Sequence, residues 1–350
     1  MSYKQMTGNI ISATKVESSG KFNDSSASGV WSLQEQFDYR KGDSWPIKGN
    51  GITPIAFWFA KATGSNSLGT SIQTSNISTA GNTTDWGYEM RYAYGNAATT
   101  SSATRAVQIG YNFNPSNAAS RFIEQLNLVN AGTGTSFGEL NVTSAQNGTA
   151  LSNGIRGIFT QGYGASAAFS NVIEYVTIAS AGDGTDFGDL TAVSANSCAC
   201  ASTTRGVIAV GKSSGGDTNI ISYITIGSAG NATDFGDFER TYHGRGSCSS
   251  STRGLFLGGH YDDLTNNIDY ITIASTGNAA DFGDLTNTTR YNSAGSSSTR
   301  ALTAGNFSGD TSNIDAVTIA SIGNATEFGD LGLSDRQETS CASNVHGGLS

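Results

Sequence analysis

Proline and histidine are both scarce in this chain of 350 residues, with 3 of each, and charged residues make up only 13%. A disordered chain is rich in charge and proline and poor in aromatics, whereas here aromatics stand at 9% and an apolar pattern recurs, so a packed protein is expected. No stretch approaches the ~18 consecutive apolar residues of a membrane span, and no membrane insertion is expected. The start, MSYKQMT, lacks the apolar core of a secretory signal, so the product is expected to be made in a cytosol and to stay soluble. Cysteine is limited to 4, without the paired spacing of a metal or redox framework, and free thiols fit a reducing site of synthesis. What the chain does contain is glycine, 45 residues of it, among many Ser, Thr and Asn, a composition of short strands and frequent turns.

The net charge is −9, which argues against a nucleic-acid surface, because phosphate contact needs clustered Lys and Arg. The charge is unevenly placed. Residues 1–61 carry seven cations against five acids, whereas the rest of the chain is strongly acidic and holds a single lysine, Lys212. This division predicts two regions, a segment over 1–50 and a larger domain over 51–350.

The larger region repeats itself. Residues 175–190 (YVTIASAGDGTDFGDL), 223–238 (YITIGSAGNATDFGDF), 270–285 (YITIASTGNAADFGDL) and 316–331 (AVTIASIGNATEFGDL) can be laid over one another, with weaker copies at 125–140 and 74–89. The aromatic of each copy, Trp86, Phe137, Phe187, Phe235, Phe282 and Phe328, recurs at steps of 51, 50, 48, 47 and 46. A second element keeps step with it, beginning at Arg105, Arg156, Arg205, Arg253 and Arg300, with a degenerate copy at His346. Alternation inside a unit reads as strands, Tyr270, Thr272 and Ala274 pointing one way and Ile271, Ile273 and Ser275 the other. Gly277-Asn278 supplies a turn. Four short strands in about 47 residues make one propeller blade.

A period of ~50, four strands, paired glycines at Gly258-Gly259 and Gly347-Gly348, and an aromatic on the last strand resemble the kelch repeat. The expected fold is therefore all-β, a kelch-like propeller of six blades, each of four antiparallel strands. The chain stops halfway through a unit and the first half-unit lacks its preceding strands, so the two ends are expected to pair into one shared blade, which removes open sheet edges. Residues 54–59 (PIAFWF) would reinforce that blade; if they belong to a separate sheet, the ring has seven blades.

Residues 1–50 contain no repeat. Leu33 and Phe37 stand four apart in the stretch 30–40, suggesting a short helix, and with Trp31, Tyr39, Arg40 and Trp45 they form a candidate docking surface. The leader (ASGVWSLQEQF, then GDSWP), followed by repeats of the YITIASTGNAADFGDL type, resembles the kelch-like structural proteins of tailed phages, especially those of marine cyanobacteria. The resemblance implies a virion location and a tail-fibre or appendage role, with residues 1–50 docking onto other virion proteins. It also implies a homo-oligomer in the particle and contact between the propeller and a glycan or protein of the host surface. A capsid or neck decoration protein without receptor role is the alternative, and a carbohydrate-active or oxidising enzyme on the same ring is a third reading.

The inventory of reactive groups argues against the enzyme. His243, His260 and His346 occupy different positions of the repeat, so no metal site, cofactor or catalytic set is expected. The recurring Arg and the recurring acid of the FGD element read as blade-to-blade ties, the guanidinium holding a carboxylate and carbonyls. Cys200, Cys248 and Cys341, each five residues before Arg205, Arg253 and His346, read as packed residues near the inner strand. Ligand contact is expected where blades differ: at Tyr111, Phe113 and Tyr163, at Tyr242 and His243, and at His260, Tyr261 and Asp262, whose rings and polar neighbours suit stacking on sugars.

Overall fold

The computed structural model describes residues 53–59, 71–90, 94–112, 121–130, 132–141, 147–163, 168–306, 312–332 and 339–345. The leader residues Trp31, Leu33, Phe37, Tyr39, Arg40 and Trp45, the helix expected over 30–40, and both Phe113 and His346 lie outside the described residues. Among the described residues every regular element is a strand, and the strands build six antiparallel blades in a ring. Strands are lettered a to d from the axis outward. Blade 2 is Tyr94–Ser101, Arg105–Asn112, Phe122–Asn127 and Thr135–Glu139; blade 3 is Ala150–Ser152, Arg156–Thr160, Ser170–Thr177 and Thr185–Ser194. Blade 4 is Cys198–Ala201, Arg205–Ala209, Ile220–Thr225 and Thr233–Asp237; blade 5 is Gly246–Ser249, Arg253–Leu257, Asp263–Thr272 and Ala280–Thr289. Blade 6 is Ser293–Ser296, Arg300–Ala304, Asn313–Thr318 and Thr326–Asp330.

Blade 1 is shared between the two ends of the ring. Its strand a, Ser340–Ser343, pairs with strand b, Ile55–Phe59, which pairs with strand c, Ser71–Asn76, and that with strand d, Thr84–Glu89. The shared blade thus takes three strands from one end and one from the other. Residues 54–59 do more than reinforce it: they supply strand b, the place that the degenerate His346 copy would hold by homology with Arg300. Trp58 has no exposed surface, and its indole N–H donates to Ser75 Oγ at 2.9 Å.

The core is divided into six apolar layers, one between each pair of adjacent blades. Two-residue alternation produces this arrangement, since a strand sends successive side chains to opposite faces. In blade 5, Ile271 and Ile273 pack toward blade 4, whereas Tyr270, Leu255 and Leu257 join the layer against blade 6. Phe137, Phe187, Phe235, Phe282 and Phe328 are all buried in these layers.

Three repeated polar devices join the blades. Each guanidinium at the start of strand b reaches a carbonyl at the end of strand c in the next blade: Arg105 to Ile178, Arg156 to Ile226, Arg205 to Ile273, Arg253 to Ile319, and Arg300 to Ile77, at 2.8–3.1 Å. Of the carboxylate and carbonyls expected from the sequence, it is the carbonyls that accept, and Arg156, Arg205 and Arg253 stack on Tyr175, Tyr223 and Tyr270 of their own blades. The second device is a clamp between the FGD element and the c–d turn of the next blade. Gly277 N–H donates to Phe235 O, Ala279 N–H to Asp237 O, and Asp237 N–H to Asn278 Oδ1. The two chains approach so closely there that a Cβ on Gly236, whose φ is +147°, would lie 2.4 Å from Gly277 O, which is why the FG pair recurs.

The third device is a serine belt around the axis. Ser152 Oγ donates to Ser101 O, Ser101 to Ser343 O, Ser343 to Ser296 O, Ser296 to Ser249 O, and Ser249 to Ala201 O, at 2.6–2.9 Å. Blade 4 carries Ala201 at this register, so the belt has one gap, between blades 4 and 3. Ser249→Ala is expected to lower unfolding free energy by about 1 kcal/mol, and Ala201→Ser to raise it by about 0.5–1 kcal/mol, both read from urea unfolding midpoints.

Candidate functional site

The connections sort themselves by face. Three residues separate strands a and b in blades 2–6, and seven separate strands c and d in all six blades. The b–c connections, by contrast, run from five to eleven residues and the d–a connections from three to ten. Strands run antiparallel, so all the constant turns lie on one face of the ring and all the variable connections on the other. The arginine ties and the FGD clamp occupy the constant face.

At the centre of the variable face the six inner strands enclose a cavity of about 160 Å³. Its mouth is rimmed by equivalent residues of successive blades, Asn147, Asn196, Gly244 and Tyr291, each in left-handed backbone with φ of 56°, 50°, 63° and 54°. Their backbones form a chain, Asn196 N–H to Asn147 O, Gly244 N–H to Asn196 O, and Tyr291 N–H to Gly244 O. Side chains add to it, since Asn147 donates its amide to Asn196 Oδ1, and Asn196 donates to Tyr291 Oη at 3.2 Å. The walls are mainly Ser, Thr and Ala, and many of the hydroxyls bond across blades, as Thr99 does to Ser340 and Ser247 to Ala199 O. Such a lining can hold water or a small neutral polar group.

Cys198, Cys200 and Cys248 stand on the inner strands, buried and reduced. Burial pushes the thiols of Cys198 and Cys248 up to about 12. A Cβ on Gly254 would lie 2.3 Å from Cys200 Sγ, which confirms the tight space at this position. Because the thiolate is the reactive form, Ellman's reagent at pH 8 is expected to leave these three thiols unmodified in the native protein and to reach all 4 cysteines after denaturation.

Beside the cavity mouth, blades 4 and 5 build a cluster that has no copy in another blade among the described residues. Arg245, which begins the approach to strand a of blade 5, is almost wholly buried and ion-pairs with Asp269 of strand c. It also donates to Phe256 O at 2.8 Å and Asn267 O at 3.1 Å, and it lies 4.4 Å over the Tyr242 ring. Tyr242 is buried edge-on against Phe238 and Tyr261.

His243 is 3% exposed and is held from two sides. Its backbone exchanges two hydrogen bonds with that of His260, and the two rings lie 4.8 Å apart. Its Nδ1–H donates to Asp217 Oδ2 at 2.8 Å. Burial holds His243 below its ordinary value, against the raising effect of the Asp217 hydrogen bond and charge. Asp217 comes from a tight hairpin between strands b and c of blade 4, Lys212–Ser213 paired with Gly216–Asp217 around a Ser214-Gly215 turn. Lys212 Nζ stands 3.6 Å from the other carboxylate oxygen of Asp217.

The residues expected to touch a ligand thus fall into two groups. Tyr242, His243, His260, Tyr261 and Asp262 come together on blade 5, with Tyr242 and His243 buried, His260 and Tyr261 half-buried, and Asp262 exposed at a turn tip in left-handed backbone. Tyr163 is half-buried against Phe169 on blade 3, and Tyr111 is the penultimate residue of strand b of blade 2, opposite Gly95. All of these positions belong to the variable face. Asp217, Lys212, Arg245 and the rim complete the cluster and carry no repeat signal; only the Asn and Gly positions before strand a of blades 3, 4 and 5 hint at the rim. No protein-family model matches the chain, and no curated protein matches it.

Proposed function

We propose that the chain is a non-enzymatic structural protein of a tailed-phage virion. In this reading it is a tail-fibre or appendage component that docks through residues 1–50 and turns the variable face of its propeller toward the host surface. The observation that carries the reading is the division of the ring: one face keeps its turns at constant length and uses its repeated arginines to hold blades together, while the connections of the other range from three to eleven residues. A surface that varies on a constant scaffold is the usual form of a recognition site. The likeness of leader and repeats to the kelch-like structural proteins of tailed phages supports the virion setting.

Two variants in the phage genome test it. Deleting residues 1–50 is expected to remove the protein from purified particles. Tyr163→Ala with Tyr261→Ala is expected to leave incorporation intact and lower adsorption to host cells at least tenfold. Incorporation of the truncated chain would overturn the docking role, and unchanged adsorption by the double variant would overturn host contact through this face.

A further inference from the structure

The geometry points to a binding site for one divalent transition-metal ion, of the zinc class, between Asp217, His243 and His260. This inference goes beyond the virion reading and does not depend on it. The scatter of the histidines through the repeat predicts no such site; the fold assembles one from three separate connections, the b–c hairpin of blade 4, the d–a connection into blade 5, and the short strand His260–Tyr261. One ligand atom from each residue lies within 4.8 Å of the others, close enough for a single ion at bond lengths of ~2.0–2.2 Å after small side-chain adjustments.

Three features distinguish the trio from a chance meeting of polar groups. The paired backbone hydrogen bonds between His243 and His260 fix the two imidazoles relative to one another. Asp217 is tied by the closed register of a tight hairpin. His260 Nδ1 is buried without a hydrogen-bond partner, although a buried polar atom is normally satisfied. A metal ion would bond that nitrogen and take over the place of the proton shared by His243 and Asp217. Two imidazoles and one carboxylate form a nitrogen–oxygen donor set suited to zinc, cobalt or nickel rather than to calcium or magnesium, which prefer oxygen alone. Three protein ligands leave a fourth position for water or another small ligand.

The test uses the full chain stripped with EDTA, titrated with Zn²⁺ by calorimetry and with Co²⁺ by visible absorption. One ion per chain is expected, with an intense cobalt band near 600 nm that Zn²⁺ abolishes. His260→Ala, confirmed as folded by circular dichroism, is expected to weaken Zn²⁺ binding at least ~100-fold, and Asp217→Asn ~10–100-fold. Lys212→Ala, which removes the competing ammonium, is expected to tighten binding several-fold. Absence of saturable Zn²⁺ binding to the wild type, or an affinity unaltered in His260→Ala, would overturn the site.

Discussion

Arg245→Met is expected to lower the unfolding free energy by about 3–5 kcal/mol, because it leaves the Asp269 carboxylate buried without its partner. Asp269 is only 8% exposed, and the loss also strands the carbonyls of Phe256 and Asn267 and the faces of Tyr242 and Phe238 that the guanidinium covers. Urea unfolding at pH 7 reads the effect directly. Arg245→Lys is expected to recover only part of the loss, since an ammonium cannot reproduce the planar fork. The companion Arg245→Met with Asp269→Leu removes both charges together. It is expected to be clearly more stable than the single change, because the penalty arises from the unpaired ion rather than from the missing pair. A single-variant loss below about 1 kcal/mol would show that water reaches Asp269 and that this part of blade 5 is open.

Trp58→Ala is expected to cost a similar amount, about 3–5 kcal/mol, from the lost burial of the largest fully buried side chain in the closing blade and the cavity it leaves. Trp58 packs in the layer between blades 1 and 6 with Leu302, Ile314, Phe328 and Leu331, so the damage falls on the interface that shuts the ring. Hydrogen exchange is expected to show protection lost first in Ile55–Phe59 and Ser340–Ser343, the two strands joined by the closing pair Trp58 and Cys341. Trp58→Phe keeps most of the volume and loses the bond to Ser75, and is expected to cost about half as much. Protection that fell evenly over all blades, with no excess in blade 1, would mean that closure is not the weak point.

Most of the architecture is legible in the sequence because a repeat states it six times. The spacing of the FGD aromatics gives the blade count, Tyr270 and Ile271 show which residues share a strand face, and the incomplete ends predict a shared blade. The repeat is also why Arg105 and its equivalents could be read as structural. Carbonyls were among the expected acceptors, but which ones could not be told from sequence, since a carbonyl has no residue type. Strand b of blade 1 is the main departure: the His346 copy resembles the element that should fill it, yet the run 55–59 takes the place and buries Ala56, Phe57, Trp58 and Phe59 there. The serine belt was hidden for a compositional reason, because Ser101, Ser152, Ser249, Ser296 and Ser343 sit in stretches crowded with other serines.

The variable face was legible only as a region. Tyr242, His243, His260 and Tyr261 stand out because they break the pattern, but what they meet depends on connections with no second copy to compare. Asp217 lies 26 residues from His243, and nothing in its Gly-Gly-Asp-Thr context separates it from an ordinary turn. Arg245 reads as a stray cation until Asp269 is found opposite it, on a strand whose equivalent positions hold Gln73, Glu124, Glu174, Ser222 and Asp315. Periodicity therefore discloses the scaffold, and the departures from it carry the site.

The most direct measurement is electron microscopy of intact virions labelled with gold-conjugated antibody against residues 51–350. The account predicts gold on the tail or its appendages, with the label lost in particles from a strain lacking residues 1–50. Label spread over the capsid would contradict the host-contact role, and particles without label would contradict the virion assignment itself.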